Sequence, residues 1–275
     1  MKRILGAIEN DHSDTLIILI GGVHGNEAAG VKAILEIFHQ INIHRIQVNA
    51  TLVGIAGNLQ ALAKNARYID YDLNRCWENG RLNYLPESHH TKAEDVELQA
   101  LWQAIEKYNT DSYKTKVLVD LHATSADTGN FIVIPEDEAH NPVVKSLKQP
   151  VVIDLDKYLK GTLLKFMHDR GFLSFAFEGG MIGSPEAVQL HVAGIWELLN
   201  AAGVVESSPD SLLGYKEILD SFSDGLPSHI KVLYHHWIED EDHFEMLPGY
   251  NNFQPVNEGE VLAYDKRGEV TAPMK

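Results

Sequence analysis

Two histidines and two glutamates stand at the ends of short apolar runs, where side chains can meet a ligand. In GGVHGNE, residues 21–27, His24 and Glu27 are three positions apart. At the start of a helix that spacing puts an imidazole and a carboxylate on one face, and both can reach one borderline-soft cation. Gly21, Gly22 and Gly25 let the backbone turn tightly beside them. Taken alone, HxxE in a glycine-rich turn is more often incidental than ligating. His122 supplies what the pair lacks, because in VLVDLHATS it closes a second apolar run as His24 does. Three such donors with a fourth position open to water form the arrangement of a catalytic zinc.

Glu178 closes a further run in FLSFAFEGG and is followed by Gly179 and Gly180. A carboxylate there can act as general base on a metal-activated water and then as acid to a leaving nitrogen. The competing reading is a capping or salt-bridged glutamate. Between these motifs, RYIDYDLNRCWENGR holds Arg67, Arg75 and Arg81, three of only seven arginines in the chain. Clustered guanidinium groups make an anion trap that can grip a carboxylate with two hydrogen bonds. Pairing with Asp70, Asp72 and Glu78 explains the cluster equally well. Cys76 has no local histidine partner and reads as a small packing residue, while His89, His90, His235 and His236 read as solvated or packing residues.

These residues need strands that end together. TLIILI, residues 15–20, reads as a strand buried on both faces, and Ala28, Val31, Ile34, Leu35 and Phe38 give residues 27–39 a helical period. Further strands are expected over 50–55, 117–121, 131–134 and 174–177, with helices over 94–108 and 186–202. The alternation predicts an α/β fold, a mixed and mostly parallel sheet with helices on both faces, whose carboxyl strand ends form the ligand crevice. After Val205 the pattern changes to a turn-rich link at Ser207, Ser208, Pro209 and Asp210, a helix over 212–222, and strand-like pieces over 230–237 and 261–264. We expect a catalytic domain over 1–205 and a smaller strand-rich domain over 206–275. Residues 269–275 read as a strand cut short, which points to truncation at the C-terminus.

With 39 acidic against 23 basic side chains the formal charge is -16, a field that repels phosphate backbones and anionic lipid headgroups. Nucleic acid and membrane surfaces are therefore excluded as expected partners. No apolar run approaches the ~18 residues of a spanning helix, and Glu9 and Asp11 interrupt any signal-peptide core. A single cysteine leaves no internal disulfide. The expected location is the cytoplasm.

In this order and at these separations, GGVHGNE, RYIDYDLNR, DLHATS and FEGG resemble the succinylglutamate desuccinylase and aspartoacylase family, a branch of the zinc carboxypeptidase fold. The resemblance is close from Asp14 to Ala202 and loose beyond. It implies one zinc per chain held by His24, Glu27 and His122, with Glu178 as general base. It further implies that Arg67 polarises the scissile carbonyl and stabilises the oxyanion, and that Asn74 and Arg75 hold the substrate's α-carboxylate. The family carries Asn after the third ligand and Arg shortly before the catalytic Glu, where this chain has Ala123 and His168, with Arg170 nearby. The resemblance therefore does not extend to the pocket for an acyl or side-chain carboxylate, and no residue here matches the family's closing tyrosine.

The expected activity is hydrolysis of the amide of a small-molecule N-acyl amino acid, releasing a carboxylic acid and a free amine. Two alternatives stay open. One is a zinc carboxypeptidase acting on short peptides, and the other is a metal-binding regulatory protein without catalysis, which would need neither Glu178 nor Arg67.

Overall fold

The computed structural model describes residues 1–84, 92–126, 129–205 and 212–274. Among these, strands β1 (Ile4–Ile8), β2 (Thr15–Gly21), β3 (Thr51–Ala56), β4 (Thr115–Thr124), β5 (Asn130–Val133), β6 (Val151–Ile153), β7 (Leu173–Met181) and β8 (His229–Lys231) form one sheet in the order β1-β3-β2-β4-β7-β5-β6-β8. The central strands β3, β2, β4 and β7 are parallel. β1 and β5 run antiparallel to their neighbours β3 and β7. The sheet is thus mixed and mostly parallel, as expected.

Helices α1 (Ala29–His44), α2 (Leu59–Lys64), α3 (Asn79–Tyr84), α4 (Ala93–Glu106), α5 (Pro142–Ser146), α6 (Leu163–His168), α7 (Pro185–Ala201) and α8 (Leu212–Ser223) flank it. The unbroken TLIILI run is explained by two cores. Ile17 and Leu19 pack among Ile34 of α1 and Trp196 of α7, whereas Leu16, Ile18 and Ile20 pack among Leu98 of α4 and Phe166 of α6. Alternate residues point to opposite faces of a strand, and here both faces are covered.

β2 has β3 on one side and β4 on the other. The chain leaves its carboxyl end where the connections diverge, which in an open α/β sheet is where a ligand crevice forms. α1 starts at Ala29, two residues later than the spacing predicted, and runs on to His44, where Arg45 turns into the left-handed region at φ 53. β1 and β6 were not legible, because a five-residue edge strand containing a glycine and a three-residue strand give too little pattern.

The strand expected over 230–237 shortens to β8, which pairs with β6. The large sheet therefore continues past Val205. A separate antiparallel sheet contains β9 (Glu245–Met246), β10 (Val261–Asp265) and β11 (Gly268–Thr271) in the order β11-β10-β9. The expected link over 207–210 and the histidines His89 and His90 lie outside the described residues.

Candidate active site

His24 and Glu27 lie in a turn just before α1 rather than on the helix itself. The Glu27 N–H donates to the His24 carbonyl at 3.1 Å, which closes the turn and brings the two side chains together. Gly22 takes φ +74, open to glycine and strained for most residues, and a Cβ on Gly25 would strike the backbone of Ala61. The glycines therefore let the turn pack directly on α2. A further bond from the Gly25 N–H to the Arg67 carbonyl, at 3.2 Å, ties it to the segment carrying the arginines.

Glu27 sits between the two imidazoles. One carboxylate oxygen is 2.9 Å from His24 Nδ1 and the other 3.0 Å from His122 Nδ1. One donor atom from each of the three buried side chains lies within 4.8 Å of the others. The far side of each ring also meets a carboxylate: His24 Nε2 is 3.1 Å from Asp72 and His122 Nε2 is 2.7 Å from Asp120. A carboxylate behind an imidazole fixes the proton on the outer nitrogen and leaves the inner lone pair free to ligate. The donor set and its backing thus fit a divalent cation of the zinc type, which His24, Glu27 and His122 would hold.

The charges agree with that fit. Burial opposes ionisation of Glu27, yet its contacts with His122 and His24 outweigh burial and hold its carboxyl well below the usual range. Asp72 is held low in the same way by His24, helped by Arg67 and Arg75. Burial also opposes a charge on His122, but Asp120 and Glu27 raise its pKa well above the ordinary histidine value.

Glu178 on β7 is the direct register partner of His122 on β4. It is half-buried, and burial pushes its carboxyl up to about 7, with Glu27 and Asp120 adding to the shift and His122 opposing it. Arg67, Asn74, Arg75, Glu178 and the triad all line one cavity of about 320 Å³. Arg67 reaches Asp72 at 3.0 Å and Glu27 at 3.4 Å. Arg75 donates to the Asn74 carbonyl at 2.7 Å and forms no ion pair among the described residues. Asn74 Oδ1 accepts from the Leu163 N–H at 2.9 Å. Its amide nitrogen is 3.5 Å from His122 Nε2, but that nitrogen already faces Asp120, so the Asn74 N–H groups remain able to donate into the cavity.

The other residues of the arginine segment part company with the site. Arg81 pairs with Asp95 at 3.0 Å and stacks on Tyr71. Cys76 is buried beside Trp77 in the second core, as a packing residue would be, and burial pushes its thiol up to about 11. Sequence reasoning missed the backing role of Asp72 and Asp120. For Asp120 a signal existed, since Asp-x-His on a strand puts both side chains on one face. Glu94 was missed too. It is wholly buried at the start of α4 and accepts from the N–H groups of Ile69 and Asp70 at 2.7 and 2.8 Å, so it shapes the loop between Arg67 and Asp72.

The fold and site define a mixed α/β protein with a buried His-Glu-His cluster, able to hold a cation, near the ends of parallel strands. Residues 13–182, more than half of the chain, match the succinylglutamate desuccinylase/aspartoacylase catalytic domain, and the chain belongs to that family. A probable aspartoacylase of Acaryochloris marina is 33% identical over 126 residues, which are 46% of this chain and 40% of the relative. A succinylglutamate desuccinylase of Ectopseudomonas mendocina is 24% identical over 262 residues, 90% of this chain and 73% of that relative. The chain thus spans well under two thirds of the first of these relatives. Among solved structures, succinylglutamate desuccinylase from Vibrio parahaemolyticus superposes with TM-score 0.65 at 16% identity, covering 98% of this chain and 77% of that one. Murine aminoacylase 3 superposes with TM-score 0.58 at 19% identity, covering 95% and 86%. Both share the fold.

Proposed function

We propose that the chain is a zinc-dependent amidohydrolase that deacylates an N-acyl amino acid, in the manner of an aspartoacylase or a succinylglutamate desuccinylase. The observation that carries this reading is the convergence of the His24, Glu27 and His122 donors with Glu178, Arg67 and Arg75 in one cavity. One zinc per chain would be held by the triad, and when bound it supplies Lewis acidity at the scissile carbonyl and acidifies the attacking water. Glu178 takes the proton from that water and returns it to the amide nitrogen as the C–N bond breaks, so that water and amide become carboxylic acid and amine. Arg67 donates to the carbonyl oxygen as its charge develops, a role in which one lost donor costs on the order of 100-fold to 1000-fold in rate. Asn74 and Arg75 hold the α-carboxylate.

In the same reading, residues 1–205 carry the chemistry and 206–275 form the smaller second part, whose β8 adds a strand to the large sheet and whose α8 packs on α7. The partner is a small molecule rather than nucleic acid or membrane, and the compartment is the cytoplasm. No helix among the described residues is long and apolar enough to cross a membrane. A cavity of about 320 Å³ suits one N-acyl amino acid better than a peptide. The test is a mass-spectrometric product screen of the zinc-loaded protein over N-acetyl and N-succinyl amino acids and short peptides. Free amine from the N-acyl amino acids is expected; cleavage of peptides alone would overturn the reading.

A further inference from the structure

The catalytic cavity has a lining in which apolar side chains outnumber the free cations. Arg67 is ion-paired with Glu27 and Asp72, which leaves Arg75 as the lining guanidinium without an ion pair among the described residues. One such group answers one carboxylate. The rest of the lining includes Phe131, Val133, Ile134, Leu155, Leu159 and Leu164 with three hydroxyl side chains among them, and among the described residues no lysine or further arginine. Its remaining free charge is of the opposite sign, since Asp156 is half-buried there and makes no ion pair among the described residues.

Arg170 and His168, the basic residues that precede Glu178 most closely in the chain, are engaged elsewhere. Arg170 lies over the Phe166 ring, 3.3 Å from its centroid, donates to the Phe166 carbonyl at 2.9 Å and to Asn79, and lies outside the cavity. His168 lies outside it too and is 3.3 Å from Asp137. In the segments beyond the described residues only Lys275 is a lysine or arginine.

We propose that this site selects N-acyl amino acids in which the group set against the apolar lining, either the side chain or the acyl chain, is apolar and uncharged, and that it rejects dicarboxylates. The inference rests on the deacylase reading and gives it a substrate class. A second carboxylate would have to leave water for a mostly apolar lining that also holds Asp156, with no free cation among the described residues to receive it, and such burial is costly. A branched hydrocarbon loses water there at a gain.

The zinc-loaded protein is assayed with N-acetylleucine, N-hexanoylglycine, N-acetylaspartate, N-succinylglutamate and Nα-acetyllysine. We expect kcat/KM for N-acetylleucine or N-hexanoylglycine to exceed that for either dicarboxylate by about 100-fold or more, since even one methylene can be worth 10-fold to 200-fold. Which of the two is preferred tells whether the apolar lining takes the side chain or the acyl chain. Preference for a dicarboxylate or for the lysine derivative overturns the proposal. Leu159→Arg, which puts a cation into the wall, should narrow the gap by at least about tenfold, and an unchanged ratio in the folded variant counts against it. Equilibrium binding of the same compounds to Glu178→Gln keeps this proposal separate from the deacylase reading. If nothing turns over, that reading fails, while tighter binding of the apolar compounds still supports selectivity and tighter binding of the dicarboxylates refutes it.

Discussion

His122 on β4 and Glu178 on β7 face each other across a parallel pair, in register. One residue therefore offers an imidazole to the cation site while its neighbour on the next strand offers a carboxylate to the same cavity. Gly179, next to Glu178, leaves room for His191, whose ring lies 2.9 Å from the His122 carbonyl. The two strand ends are thus locked to α7 as well as to each other.

The isolated protein is expected to bind about one zinc per chain, and His122→Ala to lose most of that affinity, because it removes one of three ligands. Metal analysis after dialysis reads this directly. Unchanged stoichiometry and affinity would take His122 out of the site.

Glu178→Gln should bind zinc normally and lose about 100-fold to 10,000-fold in kcat, the usual contribution of a positioned proton-transfer group. It also has a signature without metal. A carboxyl whose pKa rises on folding leaves stability intact below its ordinary value of 4.5, and that stability is lost as pH rises through about 7. Metal-free Glu178→Gln should therefore be more stable than the parent at pH 8, by on the order of 1–3 kcal/mol, with the difference vanishing toward pH 4. Identical denaturant midpoints at pH 8 would contradict the burial argument.

Arg75 and Arg67 should separate kinetically. Arg75 is expected to hold a carboxylate present in both ground and transition states, so Arg75→Ala should chiefly raise KM. Arg75→Lys should rescue it only in part, because an ammonium lacks the two-pronged contact. Arg67 meets charge that develops during reaction, so Arg67→Ala should chiefly lower kcat. The reverse pattern in steady-state kinetics would mean that these roles are exchanged or absent.

Glu94→Gln tests the loop that carries both arginines. Its carboxylate accepts from the N–H groups of Ile69 and Asp70 and from Asn58, and an amide nitrogen turned toward those donors cannot accept. A loss of about 2–3 kcal/mol in chemical denaturation is expected, with lower kcat/KM at unchanged zinc content. Full activity in the variant would show that the loop holds its shape without the charge.

Cys76 should be inert in the folded chain. Burial raises its pKa to about 11, and the thiolate is the reactive form. Iodoacetamide at pH 8 is expected to label it only after unfolding in guanidinium. Rapid labelling of the native protein would place the thiol nearer solvent than the second core allows.

By itself the sequence marked out side chains that line one cavity in the fold, and set His24, His122 and Glu178 at or near the ends of apolar runs. An apolar run that stops at His24, His122 or Glu178 is a local pattern, and local patterns follow from backbone period and burial. The helices over 94–108 and 186–202 were legible for the same reason. Only the tertiary structure decided that His24 and Glu27 meet through a turn, that β4 lies between β2 and β7, and that Asp72 and Asp120 stand behind the histidines. It also decided which arginines count, since Arg67 and Arg75 enter the cavity while Arg81 and Arg170 turn to Asp95 and Phe166. Strand order and side-chain direction depend on contacts between residues far apart in the chain, and residue spacing alone does not encode them.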